Sequence, residues 1–389
     1  MGRRHAEVES VVITSGFWFG RRVLVTGHTG FKGSWLSLML MRLGATVTGL
    51  ALDPPGGPQL YHLASVAEAL HDIRADIADA HAVAQAVARS KPEIIIHMAA
   101  QPLVKEGYKS PVDTFRTNVM GTVNVLEAAR HAAGLRVVLV ITTDKCYEND
   151  ETSLGFREVD RLGAADPYSN SKACAELVTA CYRASFFSDT ERPVAIASVR
   201  AGNVIGGGDF AADRIVPDAV RAMMASTRLE VRNPSAIRPW QHVIDPLLAY
   251  LMLAERAFFE PTTFGTAWNI GPGPAAERDV AALLAGLAAT WAPATPWQRD
   301  SRAHVKEAGT LRLDTSKARE LLGWSPLLTF DEMIEWTAAW YRTYAEGGDV
   351  RPMTLQQIDQ ALVQRLRVTV PSVSTVPDPN IENLLAHRI

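Results

Sequence analysis

The chain has 389 residues, of which 47% are hydrophobic and 21% charged, and its formal net charge is -3. This composition is typical of a globular protein and argues against a disordered or fibrous chain. The small net charge, with Lys and Arg dispersed, predicts no binding to nucleic acid or to a membrane. The length exceeds the usual limit of a single core, so two lobes are expected.

Cysteine is used sparingly, at Cys146, Cys174 and Cys181. An odd, small number argues against a disulfide framework and indicates a reducing compartment. The first twenty residues lack the apolar core and cleavage site of a signal peptide, and no apolar run approaches the length of a membrane span. Metal-ligand spacing is also absent from the sequence. We therefore expect a soluble, cytoplasmic protein without a metal site.

Short apolar segments alternate with longer helical segments in the N-terminal half. The predicted strands are residues 22–26, 46–52, 93–97, 136–142 and 194–199, and the predicted helices are residues 34–43, 80–90, 111–133 and 167–188. The strands are apolar at successive positions, which is typical of strands covered on both faces. Pro167 suits the first turn of its helix, and Asp166 is placed to cap it. The alternation predicts an α/β fold with a Rossmann-type doubly wound parallel sheet.

The composition of the chain changes after residue 200, where Gly and Pro become frequent and the predicted helices become shorter. This change predicts a first domain at residues 18–199 and a smaller, interleaved C-terminal substrate lobe at residues 200–349. Segments within residues 243–270 are expected to return to the first domain. For the tail, residues 350–389, the sequence predicts only a packing or oligomer role.

A glycine-rich turn joins the first predicted strand to the first helix. Gly27, Gly30 and Gly33 have the spacing G-x-x-G-x-x-G. Glycines let the backbone turn tightly and approach a pyrophosphate, which then binds the N–H groups of the helix. The motif is weak by itself, because glycines after a strand often only permit a turn. Its position between the first strand and the first helix predicts a dinucleotide site.

Acidic residues after the next strands bear on which dinucleotide binds. Asp53 follows the second strand, where a carboxylate bonds the adenosine ribose and repels a 2′-phosphate, so NAD is favoured over NADP. The alternative for Asp53 is a turn aspartate before Pro54 and Pro55. Asp76 and Ile77 are placed to flank the adenine, and a solvated helix cap is the alternative for Asp76.

Two further segments are predicted to meet at the C-terminal edge of the sheet. Thr143, Asp144 and Lys145 directly follow an apolar strand. Tyr168 and Lys172 are four residues apart at the start of a helix, so they share one face. An ammonium beside a phenol favours the phenolate. Lys172 is therefore expected to lower the pKa of Tyr168 from its ordinary value of about 10 and to make it a base.

These motifs together resemble the extended short-chain dehydrogenase/reductase superfamily from about residue 18 to residue 340, and within it the CDP-glucose 4,6-dehydratases. The matching segments are residues 25–35, 97–102, 143–147, 166–172, 200–209 and 237–242. The Tyr-x-x-x-Lys element is shared across the superfamily, whereas the Thr-Asp-Lys, Gly-Gly-Gly-Asp and Arg-Pro-Trp-Gln-His segments are much more restricted. Residues 150–155 depart from the pattern, because they lack two tryptophans usual in such dehydratases. This departure bears on the sugar or nucleotide rather than on the hydride chemistry.

The resemblance implies an internal redox reaction of a nucleotide-diphosphate hexose, with NAD as cofactor: oxidation at C4, loss of water across C5 and C6, and reduction at C6. It implies that Tyr168 takes the C4 hydroxyl proton while Thr143 hydrogen-bonds the same oxygen. Lys172 would keep Tyr168 ionised and bond the nicotinamide ribose. Asp144 would be the acid for the C6 hydroxyl and Lys145 the base at C5, each with its pKa shifted toward neutrality. An ion pair that ends the strand is the alternative for this acid and base.

The residues implied for binding form two sets. The cofactor set is Gly27, Thr29, Gly30, Phe31, Lys32, Gly33, Asp53, Asp76, Ile77, Ala99, Tyr168 and Lys172. The substrate set is Asn203, Arg214, Arg232 and Arg238. Arg232 and Arg238 lie on proline-stiffened segments suited to diphosphate contacts, and an ordinary surface arginine is the alternative for each. His242 and Asn118 are predicted to be structural rather than catalytic.

The predicted function is the conversion of CDP-glucose to CDP-4-keto-6-deoxyglucose by a homo-oligomer, a step in the synthesis of deoxysugars of lipopolysaccharide O-antigen. The long helices at 111–133 and 167–188 are candidates for a dimer contact. A nucleotide-sugar 4-epimerase, or a dehydratase for another nucleotide, is the alternative. Epimerisation needs no acid and base for C6 and C5, so Asp144 and Lys145 favour dehydration. A non-catalytic NAD(H)-sensing regulator is a more distant alternative, because it would be free to lose Tyr168 and Lys172.

Overall fold

Strands and helices alternate along the chain in the computed structural model, which describes residues 13–14, 16–149, 155–188, 191, 193–291, 297–300 and 311–367. In chain order the strands are β1 (Arg22–Thr26), β2 (Thr46–Ala51), β3 (His71–Arg74), β4 (Ile94–His97), β5 (Val137–Ile141), β6 (Ala195–Arg200), β7 (Val204–Ile205), β8 (Leu229–Val231), β9 (Ile237–Pro239), β10 (Gln241–His242), β11 (Ala267–Asn269), β12 (Glu277–Asp279) and β13 (Trp297–Arg299). Residues 150–154, where the sequence departs from the dehydratase pattern, lie outside the described residues, as do residues 368–389 of the tail.

The helices lie between these strands and after them. In chain order they are α1 (Phe31–Arg42), α2 (Leu60–Leu63), α3 (Ala80–Ser90), α4 (Val104–Lys109), α5 (Pro111–Phe115), α6 (Gly121–Arg130), α7 (Pro167–Phe186), α8 (Ile215–Met224), α9 (Ile244–Phe259), α10 (Pro261–Phe264), α11 (Val280–Thr290), α12 (Ser316–Leu322), α13 (Phe330–Ala345) and α14 (Val350–Arg367). A π turn, Arg116–Met120, joins α5 to α6, so it interrupts the helix predicted at 111–133. At the start of α7 the Asp166 carboxylate accepts a hydrogen bond from Ser169 N at 2.9 Å, which confirms the predicted cap.

Seven strands form one parallel sheet in the order β11-β6-β5-β4-β1-β2-β3. This arrangement confirms the predicted α/β fold and its doubly wound sheet. The strand order reverses between β1 and β4, and open α/β sheets bind ligands in the crevice beyond the carboxyl ends of the strands at such a point. The strand β3 was not predicted, because its residues are mostly polar and exposed and no apolar run marks it.

The two faces of the sheet are buried in separate hydrophobic clusters. Ile94 and Ile96 of β4 belong to the larger cluster, and Ile95 between them belongs to the smaller one, as the alternation of side chains along a strand requires. All three are fully buried, and burial of each contributes roughly 1.5–3 kcal/mol to folding. The continuous apolar runs of the central strands thus reflect helices on both faces, with α3 and α6 on the side of the smaller cluster.

The second half of the chain contributes both to the central sheet and to a smaller lobe. The strand β11 pairs with β6, with Ala267 opposite Ser198, and α9 packs against β5 and β6. The paired strands β12–β9 and β13–β8 lie outside the central sheet and pack with α8 and α11, and the name smaller lobe is used below for this group of elements. The helix α14, within the predicted tail, packs against α1 and α13. Within the described part of the chain, we find no helix with the length and apolar character of a membrane span.

Candidate active site

The glycine turn between β1 and α1 forms one wall of the crevice. Gly27 has a φ of +79°, and a Cβ atom there would lie 2.7 Å from the Ala99 backbone nitrogen. A Cβ at Gly33 would lie 2.1 Å from the Gly27 carbonyl oxygen. Both positions therefore require glycine. Among the described residues no side chain caps the N-terminus of α1 at Gly30, which leaves its first N–H groups to an anion.

Ala99 is held against this turn by a buried polar chain. Thr26 Oγ1 accepts hydrogen bonds from Met98 N and Ala99 N, each at 3.1 Å, and lies 2.7 Å from His97 Nδ1. Burial lowers the pKa of His97 to about 3, so the ring is neutral at physiological pH. The sequence motifs gave no role to Thr26, because its part in the turn depends on a partner strand.

The predicted adenosine end of the crevice lies beyond β2 and β3. The Asp53 side chain is 88% exposed, and its Oδ1 atom lies 3.8 Å from Arg74 Nε. Thr29 Oγ1 donates a hydrogen bond to the Leu52 carbonyl at 3.1 Å, which fastens the glycine turn to the end of β2. Asp53 thus occupies an exposed position where a carboxylate is able to meet a ribose.

Asp76 and Ile77 differ in their surroundings. Asp76 Oδ1 accepts a hydrogen bond from Ala78 N at 2.9 Å, and the side chain that caps α3 is Asp79. The alternative of Asp76 as a helix cap is therefore wrong. Ile77 is buried in the smaller hydrophobic cluster, and a Cβ at Gly121 would lie 2.5 Å from its Cδ1 atom. The side chain of Ile77 therefore packs into the core.

The segments that contain Thr143 and Tyr168 meet at the C-terminal edge of the sheet. Thr143 follows β5 in extended conformation, and Tyr168 lies in the first turn of α7. The Thr143 hydroxyl acts to lower the pKa of Tyr168, and Thr143 Oγ1 donates a hydrogen bond to Asp144 Oδ1 at 3.0 Å. All three residues are buried. The structure therefore brings together a phenol, a hydroxyl and a carboxyl.

The expected effect of Lys172 on Tyr168 is wrong. Burial raises the pKa of Tyr168 to about 12, and the opposing influences come from the Thr143 hydrogen bond and the positive charge of Arg214. Lys172 Nζ instead donates a hydrogen bond to the Ile141 carbonyl at 3.1 Å, and the carboxylate that most affects its pKa is Glu176. A shared helix face brought Lys172 near the site, but its ammonium is directed at the end of β5.

Asp144 is fully buried, and burial raises its pKa as predicted. The positive charges of Lys145 and Arg238 partly oppose this shift. Asn203 Nδ2 lies 3.3 Å from Asp144 Oδ2. A Cβ atom at Gly202 would lie 1.9 Å from the same oxygen, so glycine at this position makes room for the carboxyl group. A carboxyl group with a raised pKa is suited to donate a proton near neutral pH.

The predicted base Lys145 is half-buried in the 3-10 turn Asp144–Cys146. Its backbone N–H donates a hydrogen bond to Thr143 Oγ1 at 3.3 Å. Its ammonium acts electrostatically on the Asp144 carboxyl. The Lys145 ammonium is therefore within electrostatic reach of the Asp144 carboxyl, as the catalytic interpretation requires.

Three of the four predicted substrate residues, Asn203, Arg214 and Arg238, interact with Asp144 or Tyr168. Arg238 lies buried in β9 and acts electrostatically on Asp144. Arg214 forms an ion pair with Asp209 at 2.9 Å and acts electrostatically on Tyr168. Asn203 contacts Asp144 directly and has a left-handed backbone, with a φ of +49°. Arg232 is half-buried directly after β8.

Lys32 links the glycine turn to the reaction centre. Its Nζ atom lies 3.4 Å from Tyr250 Oη, and Phe31 before it is half-buried. Burial and the positive charges of Lys172 and Arg214 lower the pKa of Lys32 to about 7. The Lys32 ammonium therefore lies within electrostatic reach of Lys172 and Arg214.

His242 and Asn118 have structural surroundings. His242 is fully buried, and its ring packs edge-on against those of Trp35 and Trp336. Asn118, in the π turn, accepts from Gln101 N and donates to Ser171 Oγ, each at 2.8 Å. Asn118 therefore fastens the loop after β4 to α7. Across the described residues, no cluster of three or more His, Cys, Asp or Glu side chains is arranged to hold a metal ion.

Known proteins resemble the chain over most of its length. Residues 24–337 match the model of the family described as GDP-mannose 4,6 dehydratase. CDP-glucose 4,6-dehydratase from Salmonella typhimurium (strain LT2) is 44% identical over 342 residues, which cover 87% of this chain and 95% of that protein. UDP-glucose 4-epimerase from Mycolicibacterium smegmatis is 30% identical over 329 residues, which cover 84% of this chain and 100% of that protein.

Solved structures share the fold at lower identity. UDP-glucose 4-epimerase from Thermotoga maritima, with UDP-glucose, has a TM-score of 0.71 at 20% identity and covers 83% of this chain and 99% of its own. UDP-glucose 4-epimerase from Brucella ovis, in complex with NAD, has a TM-score of 0.70 at 22% identity and covers 83% and 98%. The match over residues 24–337 and the 44% identity show that the chain belongs to the GDP-mannose 4,6 dehydratase family of extended short-chain dehydrogenases/reductases.

Proposed function

We propose that this protein is a nucleotide-sugar 4,6-dehydratase, a hydro-lyase that converts CDP-glucose to CDP-4-keto-6-deoxyglucose. The observation that carries the proposal is the buried cluster of Tyr168, Thr143 and Asp144 at the C-terminal edge of the parallel sheet, in which Thr143 Oγ1 donates a hydrogen bond to Asp144 Oδ1 at 3.0 Å. The 44% identity to CDP-glucose 4,6-dehydratase from Salmonella typhimurium supports the choice of nucleotide and sugar.

The residues around the crevice fit NAD as the cofactor. Glycine at positions 27 and 33 lets the turn pack closely against the backbone of Ala99 and of Gly27, and no described side chain caps the start of α1. These residues would hold the pyrophosphate, Asp53 the adenosine ribose and Lys172 the nicotinamide ribose. NAD, when bound, supplies a hydride acceptor that later returns the hydride, together with a positively charged ring.

Tyr168 and Thr143 are proposed to act on the C4 hydroxyl group of the hexose. Thr143 orients this oxygen by a hydrogen bond, and Tyr168 takes its proton. Burial opposes the phenolate form of Tyr168, so the base requires positive charge in the crevice. Arg214 supplies part of that charge, because its guanidinium acts on Tyr168 from the smaller lobe. Arg214 therefore lowers the pKa of the proposed base, Tyr168.

Asp144 and Lys145 are proposed to carry the elimination of water. The 4-ketone acidifies the proton on C5, which Lys145 removes. Asp144, whose pKa is raised by burial, donates a proton to the departing C6 hydroxyl group. Asn203 Nδ2 contacts the Asp144 carboxyl at 3.3 Å and holds it in place. Arg238, whose positive charge acts on Asp144, is proposed to bind the substrate diphosphate. Arg232 is proposed as a second diphosphate contact.

A nucleotide-sugar 4-epimerase is the second candidate, because UDP-glucose 4-epimerase from Mycolicibacterium smegmatis is 30% identical. An epimerase returns the hydride to C4 and needs no acid for a C6 hydroxyl group. The buried Asp144, which Gly202 accommodates and Asn203 contacts, therefore favours dehydration. The two reactions differ in the mass of the product.

The test is to incubate the purified protein and NAD separately with CDP-, dTDP-, UDP- and GDP-glucose and to analyse the products by mass spectrometry. Loss of one water from CDP-glucose, and from it preferentially, is the expected result. A product of unchanged mass and inverted C4 would identify an epimerase. Water loss from another nucleotide sugar would keep the reaction and replace the substrate.

We also propose that the protein acts in the cytoplasm as a homo-oligomer in deoxysugar synthesis. Its three cysteines are free, in keeping with a reducing compartment. Large apolar side chains are exposed along α4, α5 and α7, including Tyr108, Val112 and Leu177. A second copy of this helical face would cover them. Light scattering of the wild-type protein and of a Leu177→Glu variant tests this contact, and an oligomer unaffected by the change would contradict it.

A further inference from the structure

A buried ion pair lies beneath the segment that contains Thr143, Asp144 and Lys145. Glu176 of α7 and Arg200 of β6 are 2.7 Å apart, and their side chains are 2% and 4% exposed. Burial of two charges carries a large desolvation penalty, which a structural role alone repays poorly. We propose that Glu176 is a positioning residue of the active site, which aligns the catalytic segment and maintains the positive charge of Lys172. This inference rests on the proposed function.

The ion pair holds both ends of the catalytic segment. Thr142, directly before Thr143, donates its hydroxyl hydrogen bond to Glu176 Oε1. On the other side, Arg200 Nη1 donates to the Tyr147 hydroxyl at 2.7 Å, and Tyr147 directly follows the 3-10 turn Asp144–Cys146. Displacement of Glu176 would therefore release the start of this turn and leave Arg200 without its charged partner.

Further hydrogen bonds fix the position of the Glu176 carboxylate. Ser198 Oγ donates to Glu176 Oε2 at 2.7 Å, from β6. The Tyr147 hydroxyl donates in turn to Asn269 Oδ1 at 2.6 Å, on β11. The network therefore joins α7 to the ends of three neighbouring strands. Arg200 Nε has no hydrogen-bond partner among the described residues, but the other bonds of this buried network favour one arrangement of the side chains that contribute to it.

Glu176 also acts on Lys172. The two residues are four apart on α7 and share one face. The described groups that interact electrostatically with Lys172 are the Glu176 carboxylate, the Cys146 thiol, the His97 imidazole and the Lys32 ammonium. Glu176 contributes the main negative charge among them, against the burial that favours neutral Lys172.

The chemistry requires this charge. A protonated Lys172 donates a hydrogen bond to the Ile141 carbonyl and is proposed to donate another to the nicotinamide ribose. Without Glu176, Lys172 would lose its proton at lower pH. Both cofactor binding and turnover would then fail at a lower pH than in the wild-type protein.

The test uses Glu176→Gln, which keeps the size of the side chain and removes its charge. NAD affinity is measured by calorimetry from pH 6 to 9, and its decrease at high pH is called the alkaline limb. We expect the alkaline limb of the variant to lie about one pH unit below that of the wild-type protein. The alkaline limb of kcat with CDP-glucose should move in parallel, with KM for CDP-glucose nearly unchanged. The matched control is Glu127→Gln, which removes a carboxylate that accepts hydrogen bonds from Arg130 of its own helix, α6, and from Tyr182 of α7. The control should leave both limbs in place.

A second variant separates the effect of the lost Glu176 charge from a loss of stability. Glu176→Gln leaves Arg200 buried without its partner, which is destabilising. The double variant Glu176→Gln/Arg200→Met removes both charges, and it should recover most of the melting temperature and keep the shifted alkaline limb. Unshifted limbs in folded Glu176→Gln or in the double variant would overturn the inference. Wild-type protein that binds NAD without dehydrating CDP-glucose would overturn the proposed substrate instead, while the calorimetric comparison would still test Glu176.

Discussion

At the residue scale, burial sets the acidity of the groups proposed for catalysis. It favours the protonated forms of both Tyr168 and Asp144, and this suits Asp144 as an acid but opposes Tyr168 as a base. The positive charges of Arg214 and Arg238 act in the opposite direction on these two groups. The positive charges around the crevice therefore determine whether Tyr168 is able to lose its proton, which the first proposed step requires.

The first prediction concerns Tyr168 itself. Tyr168→Phe removes the proton acceptor and should reduce turnover of CDP-glucose by about 10²- to 10⁴-fold, with NAD binding nearly unchanged. Tyr182→Phe is the matched control, because Tyr182 lies on the same helix and bonds Glu127 instead. Steady-state kinetics and calorimetry measure the two effects. Normal turnover by Tyr168→Phe would exclude it as the base.

The second prediction concerns the space for the Asp144 carboxyl. Gly202→Ala places a Cβ within 1.9 Å of Asp144 Oδ2 and should displace this group, with a large loss of kcat and a stability cost of about 1–3 kcal/mol. Gly56→Ala is the control, because no described atom lies within 4 Å of its Cβ position. Kinetics and urea unfolding of both variants measure the result. Full activity in Gly202→Ala would remove Asp144 from the mechanism.

Sequence motifs predicted which side chains of the proposed active site meet, but not which groups set their acidity. Tyr168 and Lys172 share a helix face by their spacing alone, and this suggested an interaction that the structure does not have. The actual partners of Lys172 are the end of β5 and Glu176. Glu176 in turn bonds Thr142 and Arg200. Thr142 and Arg200 are far from Glu176 in the chain, so only the packed fold reveals this network.

At the element scale, capping and strand patterns determine where the catalytic groups lie. The apolar runs predicted β1, β4 and β5 closely, because these strands are buried on both faces. The short strands β7, β8 and β9 have two or three residues each, too few for any periodicity. The π turn was also missed, because helix propensity does not distinguish it from the flanking α-helical turns.

The third prediction concerns the cap of α7. Asp166→Ala removes the carboxylate that accepts from Ser169 N and should cost about 1 kcal/mol of stability. Because Tyr168 lies in the same first turn, turnover should fall by more than the stability loss explains. Asp79→Ala removes an equivalent cap from α3, away from the reaction centre, and should cost similar stability with unchanged turnover. Equal turnover in the two variants would show that the cap does not position Tyr168.

At the scale of the whole molecule, one continuous hydrophobic cluster extends from the sheet into the smaller lobe and α14. Polar contacts also fasten α14 to this body. Trp340 Nε1 of α13 donates a hydrogen bond to Thr354 Oγ1 of α14 at 2.8 Å, and Arg42 of α1 pairs with Asp359 of α14. The mixed pattern of the tail concealed this helix from sequence reasoning, because its partners lie on α1 and α13. The larger hydrophobic cluster is therefore completed by helices from distant parts of the chain, α1 and α14.

The fourth prediction concerns acid stability. Burial lowers the pKa of His242 from 6.5 to about 3, so the unfolded chain takes up this proton as the pH falls below 6.5 and the folded protein does not. His242 thus contributes stability that is full above pH 6.5 and is lost as the pH falls toward 3. Between pH 7 and pH 5, His242→Gln should lose about 2 kcal/mol less unfolding free energy than the wild type. Urea unfolding at both pH values measures this difference.

The control for acid stability is His131→Gln, whose side chain is 73% exposed. This variant should keep the pH dependence of the wild type. Equal pH dependence in His242→Gln and the wild type would show that His242 does not titrate with a lowered pKa. Comparison of variants is required because Asp245, whose pKa burial raises to about 7, acts in the opposite direction over part of the same range.

The central claim is that a hydride leaves C4 of the sugar and returns to C6 within one active site. CDP-glucose carrying deuterium at C4, incubated with the wild-type protein and NAD, tests this claim most directly by NMR of the product. The account predicts a 4-keto product with the deuterium in its C6 methyl group. Deuterium that remains on C4, or that is lost to solvent, would contradict it.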